Sequence, residues 1–264
     1  MKRALWVLVL GAPWMAMGQA QEAKSKAPVA VLAPAKAAGA DWKDGILRAT
    51  GAGAPDLKAS NLAQARLGAE RAAKADAVRN LLRQLEGVPL RADQSVGQAL
   101  AQEGMRGRVE EVLRGFKVST KRYYSDGGVE LDVEVPLPAL AAVLVPPSAP
   151  GIPVNKQGPK TYTGLVVDAR GLGAKPVLAP LLLDATGTPV YGLDALSRRT
   201  LAVAAYPEGL DEARKSPLVG AKPLVVKAVR LQGTDLVLAD EALKQLAAVD
   251  GAFLAEGRVA IVTR

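Results

Sequence analysis

From residue 129 to 135 the chain alternates strictly. Val129, Leu131, Val133 and Val135 are separated by Glu130, Asp132 and Glu134, which puts apolar side chains on one face of a strand and acids on the other. The pattern predicts a half-buried β-strand. Asp126-Gly127 suits a two-residue hairpin turn, where positive φ is required, and so predicts a partner strand starting near Phe116. In that register Lys121 stands opposite Asp132, Tyr123 opposite Glu130, and Val118 faces Val135 on the apolar side. The acidic row then reads as an ion-paired solvent face.

Upstream the period changes from two to 3.6. A helix is expected from a cap at Ser60 or Asn61 to about Glu86, stopped by Gly87 with Pro89 beyond. Projected at 100° per residue, Leu67, Val78, Leu81, Leu82 and Leu85 share one arc, read as the core face. Ala65, Ala69, Ala72 and Ala73 lie nearly opposite. They would admit a second backbone at close range, and surface alanines serving helix propensity are the alternative. Ile46 to Ala49 reads as a short strand. Gly51-Ala52-Gly53, followed by Pro55, reads as a turn. Ser95 should cap a short helix through Gln102, and Arg108 to Leu113 suggests another.

Seven prolines fall between Pro136 and Pro159, marking a boundary between two halves. Beyond it, Tyr162 to Asp168, Val177 to Leu183, Pro189 to Gly192 and Val259 to Val262 have strand character. Leu224 to Val229 and Leu236 to Leu238 flank Gln232-Gly233 as a hairpin. Leu210 to Lys215 and Glu241 to Ala248 read as helices, the second capped by Asp240. The expected class is α+β in two small domains: a long helix packed on an antiparallel sheet over 45–137, and a mixed α+β domain over 160–264. Residues 138–159 would be a proline-rich linker and 21–44, rich in Ala, Lys and Pro, a flexible tether.

The first twenty residues add a compartment. Lys2 and Arg3 precede an apolar run, Ala4 to Ala12, too short to span a bilayer, and small residues follow at Gly18 and Ala20. This is the form of a secretory signal peptide cleaved near Gly18 to Ala20, so the mature chain is expected in the periplasm or secreted, without a transmembrane segment. The net charge of +8 does not make a nucleic-acid binder. Residues 45–137 and 160–264 carry a net +2 each, too dilute for a phosphate-tracking face.

Missing residue types narrow the chemistry. The chain has no Cys and no His, which excludes disulfides, thiolate or imidazole catalysis and Cys or His metal ligands. No catalytic residue, metal or cofactor is expected. Adjacent acids such as Glu110-Glu111, Asp211-Glu212 and Asp240-Glu241 point about 100° apart on a helix and do not converge. Gly171-Leu172-Gly173 lacks the further glycine and the helix of a dinucleotide loop and reads as a turn. Asp168 and Arg170, at a strand exit beside that turn, are candidates for a ligand site or a turn clamp. Arg122, Tyr123 and Tyr124 near the hairpin tip are partner-binding candidates, since Tyr and Arg are favoured at hot spots.

The order of Thr50-Gly51-Ala52-Gly53-Ala54-Pro55, a long Ala/Arg/Leu helix and the Phe116 to Val135 hairpin resembles the LPP-twenty lipoprotein-like family, whose domain type also forms the first domain of flagellar assembly protein T. The likeness spans about a third of the chain. Tyr162 to Gly173 and the later Gly192 look like segments of longer bacterial envelope proteins that pair such a module with a second one. The resemblance implies an envelope assembly role without assigned catalytic residues. Anchored members carry their lipid on a cysteine, which this chain lacks. The expected function is therefore that of an exported non-enzymatic envelope protein, an assembly or interaction module. Its partners would be envelope proteins, through self-association or a flagellar-motor-like assembly. The rival is a periplasmic small-ligand or glycan-binding protein, or a carboxylate hydrolase working at Asp168.

Overall fold

A computed structural model describes residues 38–91, 94–145, 155–192 and 204–264. The proposed signal peptide, the tether up to residue 37 and linker residues 146–154 lie outside the described residues. Everything described belongs to one compact unit, Ala35–Arg264, of mixed α+β architecture.

The first half is a four-stranded antiparallel sheet in the order β1 (Gly39–Asp41), β2 (Ile46–Gly53), β6 (Val129–Pro136), β5 (Lys117–Tyr123). Across one face lies α1, Leu62–Glu86, capped by the Asn61 side chain, which accepts from the Gln64 N–H at 2.9 Å. The buried stripe of α1 is Ala65, Ala69, Ala73, Ala77, Leu81, Leu82 and Leu85. Leu67, expected in the core, is 52% exposed. The reason lies in β2. A Cβ on Gly53 would stand 2.0 Å from the Ala69 carbonyl oxygen, and one on Gly51 would stand 2.3 Å from that of Ala73. Helix and strand backbones therefore meet directly, and only alanine fits between them. Gly51-Ala52-Gly53 is accordingly the end of a strand and not a turn.

The same contact solves a hydrogen-bonding problem. β1 covers only Ile46 to Arg48 of β2, and backbone groups further along that edge need partners. Helix α1 supplies them: Asp76 Oδ2 accepts from Ala52 N–H at 3.0 Å, and Asn80 Nδ2 donates to the Thr50 carbonyl at 2.8 Å. Burial alone would raise the Asp76 pKa; the Ala52 N–H, Arg79 and Asn80 outweigh it and hold the carboxyl below its ordinary value.

The hairpin exists, but its register differs from the expected one. Lys121 pairs with Leu131, Arg122 with Glu130 and Tyr123 with Val129, and a bulge lies between Val118 and Thr120, leaving Val118 opposite Val133. Tyr124 N–H donates to Gly128 O at 3.0 Å and Gly127 takes φ of 91°. The loop thus has three residues, Ser125 to Gly127, with the positive φ at its third. One extra loop residue shifts the pairing by one and sends Lys121 and Tyr123 to the helix side of the sheet.

β3 (Pro89–Arg91), β4 (Gln94–Ser95), α2 (Val96–Leu100) and α3 (Met105–Arg114) close one end of the core, with Ser95 and Gln98 forming a capping box. The proline-rich stretch begins with a helix, α4 (Leu137–Leu144), which buries Leu137, Leu140, Ala141 and Leu144. Pro136 is its cap and Pro138 sits in the first turn, where a missing N–H costs nothing. Residues 38–44, assigned to a tether, instead form β1 and the turn after it.

The second half is a six-stranded mixed sheet in the order β12 (Val259–Val262), β7 (Gly164–Asp168), β10 (Pro223–Gln232), β11 (Asp235–Leu238), β8 (Leu182–Leu183), β9 (Pro189–Tyr191). β7 runs parallel to both neighbours. Helix α5 (Leu210–Lys215) packs on one face through Ala213, while α6 (Asp240–Ala247) and α7 (Ala252–Ala255) cover the other through Leu246, Phe253 and Leu254. Asp240 is the first residue of α6 and Ala239 its cap position, so Asp240 acts within the first turn rather than as the expected cap. Of the expected strand Val177 to Leu183 only the last two residues pair as β8. Leu178 and Ala179 instead donate their N–H groups to Pro89 O and Leu90 O at 2.9 Å each and join the first half's core.

Candidate functional site

Asp168 closes β7, where the chain turns into a glycine loop. Its carboxylate faces Arg170 squarely. Arg170 Nε donates to Oδ1 and Nη2 to Oδ2, each at 2.8 Å, and the Arg170 backbone N–H donates to Oδ1 at 3.1 Å. Gly171 and Gly173 carry φ of 80° and 73°, which lets the loop reverse and return the guanidinium to the strand end. The Arg170 contacts, against a smaller opposing effect of burial, hold the Asp168 carboxyl below its ordinary value. Such a group is ionised at neutral pH with both oxygens engaged, so it has no proton to give and little basicity to take one. Asp168 and Arg170 are thus brought together as a bidentate clamp.

The hairpin candidates are divided between two faces. Arg122 lies on the outer face of the sheet, 16% exposed, bonded through Nε to Glu130 at 3.0 Å and through Nη2 to Asp132 at 2.8 Å. Tyr124 joins the same face, its hydroxyl donating to Glu130 Oε2 at 3.0 Å. Tyr123 sits on the helix side with the Arg66 guanidinium 6.0 Å and the Lys121 ammonium 5.8 Å from its ring centre. Lys121 also reaches Glu70 of α1 at 2.9 Å. The three residues therefore do not form one patch, although Tyr123 and Tyr124 are each about half exposed.

Arg48, not singled out from the sequence, organises a larger network. Buried in β2, it bonds Asp41 through Nη1, Asp44 through Nη2 at 3.2 Å and Glu134 through Nε at 3.1 Å. Burial opposes ionisation of Asp41, and the Arg48 bond with two backbone N–H groups overrides it, so this carboxyl too is held low. The network forms one wall of a cleft of about 570 Å³ whose other wall comes from Pro176, Tyr206 and Pro207. Trp42 meets Tyr206 edge to face with centroids 5.7 Å apart. The Tyr206 hydroxyl is spent on Val177, donating to its carbonyl at 3.0 Å and accepting from its N–H at 3.2 Å. Asp41 and Asp44 stand close to Arg48 in the chain, but its partner across the sheet, Glu134, lies 86 residues away.

With this geometry in view, the second half can be placed among known proteins. Residues 164–264 match the family described as the second domain of Tp0624 from Treponema pallidum. The match starts at the first residue of β7 and so includes Asp168, Arg170 and the whole six-stranded sheet. A search of curated proteins returned no match. Among the described residues, no helix is long and apolar enough to cross a membrane, and no three acidic side chains gather as metal ligands.

Proposed function

We propose that this is an exported, non-enzymatic cell-envelope protein that works as an assembly or scaffolding module. The observation that carries the reading is the state of Asp168: both carboxylate oxygens are occupied by Arg170. The other prominent charges, at Arg48 and Arg122, are likewise spent on neighbouring carboxylates. The long helix on an antiparallel sheet is the architecture that the LPP-twenty-like resemblance implies for the first half. Processing near Gly18 to Ala20 would deliver the chain there, and envelope proteins or further copies of itself would be its partners.

One observation favours the rival, a small-ligand or glycan-binding protein or a carboxylate hydrolase. Asp168 stands at the carboxyl end of β7, between two parallel neighbours, where open parallel sheets commonly receive ligands. A single substitution separates the readings. If Asp168 is a clamp, Asp168→Asn lowers the melting temperature and changes no activity in a screen of glycan and peptide hydrolysis. An unchanged melting temperature with loss of a hydrolytic activity present in the wild type would make Asp168 catalytic and end the scaffold reading.

A further inference from the structure

Helices α1 and α3 leave a groove of about 480 Å³ between them. Its floor is apolar, made by Val78, Leu82 and Phe116, and its rim is cationic. Lys74, Arg79, Arg106 and Arg114 stand along it with side chains 50%, 65%, 57% and 69% exposed, and among the described residues Glu110 is the one acid in the lining; Lys74 is paired with Glu70 and Arg79 with Asp76, each at 3.0 Å, which leaves Arg106 and Arg114 as the open cations. Glu110 is shared. Arg106 and Arg114 both approach it at 3.5 Å, and Arg106 is 3.6 Å from Glu86. Charge-assisted hydrogen bonds run at about 2.7–2.9 Å, so these two guanidinium groups are weakly held and retain donors for another anion.

The dimensions select the anion's carrier. Lys74 to Leu82 on one wall and Arg106 to Arg114 on the other each cover two helical turns, about 12 Å at 1.5 Å per residue. An amphipathic helix places apolar anchors at i, i+3 or i+4, and i+7, a span of about 10.5 Å. Carboxylates along the flank of that stripe facing α3 would meet Arg106 and Arg114. An acyl chain reaching about 15 Å, half of a bilayer's hydrocarbon core, overruns the groove and carries its charge only at one end. We propose that the α1–α3 groove docks an acidic amphipathic helix of a partner protein. This rests on the interaction-module reading for the existence of a partner and adds the surface and the partner's chemistry.

The test uses the full mature chain and a fluorescein-labelled 15-residue helical peptide, with leucines at i, i+4 and i+7 flanked by glutamates. A matched peptide carries lysine at every glutamate. The acidic peptide should bind in fluorescence anisotropy and the basic one should not. Arg106→Glu combined with Arg114→Glu should weaken binding at least about tenfold while the protein still melts cooperatively, at a lower temperature because like charges now stand four residues apart on α3. Arg230→Glu with Arg258→Glu, equal in charge but in the second half, should leave binding intact. If the reversed pair fails to fold, Arg106→Gln with Arg114→Gln reads the same loss in smaller degree. Equal binding of both peptides, or equal losses from the two charge reversals, would overturn the proposal. So would oleate displacing the peptide at lower concentration than the peptide's own Kd. A concentration-dependent dimer abolished by the groove variant would assign the groove to a second copy and also overturn it. Failure here removes the groove alone; the Asp168→Asn comparison bears on the assembly reading itself.

Discussion

Gly53→Ala tests the contact on which the first half is built. The added methyl would lie 2.0 Å from the Ala69 carbonyl oxygen and 2.7 Å from the Ala73 nitrogen, both backbone atoms of α1 that cannot rotate away. Restoring the 3.4 Å of ordinary contact requires helix and strand to part by about 1.4 Å. That loosens Ala65 to Ala77 against β2 and stretches the Asp76–Ala52 and Asn80–Thr50 bonds. Overpacking typically costs about 1–3 kcal/mol, occasionally more, and a rigid backbone neighbour on both counts places this site at the upper end. In a chain of this size that lowers the melting temperature by about 2–4 °C per kcal/mol. Gly107→Ala is the control: it lies in the first turn of α3, and its new methyl would meet nothing within 4 Å, so helix propensity alone should stabilise the protein, by less than the about 1 kcal/mol of a helix interior. Urea titration followed by far-ultraviolet circular dichroism reads both. A Gly53→Ala protein as stable as wild type, with the same denaturant slope, would mean that α1 does not rest on β2.

Leu81→Ala and Leu131→Ala, both fully buried in the same core, should each cost about 2–5 kcal/mol in the same titration. Glu130→Ala should cost about 1 kcal/mol or less, because Arg122 keeps Asp132. The Arg122 side chain holds the Asp132 carboxyl below its ordinary value of 3.8, against a smaller opposing effect of burial. A depressed carboxyl contributes stability that is complete above its unfolded pKa and lost as pH falls through the folded one. Arg122→Met should therefore be less stable at neutral pH and lose less on acidification below about pH 4, as thermal melts at about pH 7 and about pH 2.5 will read. Mass spectrometry of the exported protein should find its amino terminus near Gly18 to Ala20; an intact Met1 on cytoplasmic protein would refute export.

Where local chemistry decided the structure, the sequence could be read directly. Asn61 and Gly87 bracket α1 because a side-chain cap and a glycine act within one turn. Asp168 and Arg170 clamp because they leave the same strand two residues apart. What failed was tertiary. The buried stripe of α1 favoured the smallest side chains, since its neighbour at Gly51 and Gly53 is bare backbone, whereas an apolar arc drawn from residue size selected Leu67. Asp126-Gly127 fits both two- and three-residue loops, and only the pairing of Tyr124 with Gly128 distinguishes them. Arg48 was missed for a similar reason: Asp41 and Asp44 are near it in the chain, but its bond to Glu134 depends on a strand that arrives 86 residues later.

Leu178 and Ala179 come from the second half, yet they extend β3 and fill the first half's core. Tyr206 N–H reaches Trp42 O at 3.4 Å, and Lys43 reaches Glu212 at 2.5 Å. A fragment ending after α4 would therefore carry an unfilled apolar slot and two bare carbonyls, at Pro89 and Leu90. Supplied separately, the remaining fragment holds the plug for that slot. The chain is in this sense a natural candidate for a split reporter, whose halves recover a folded state only when brought into each other's company.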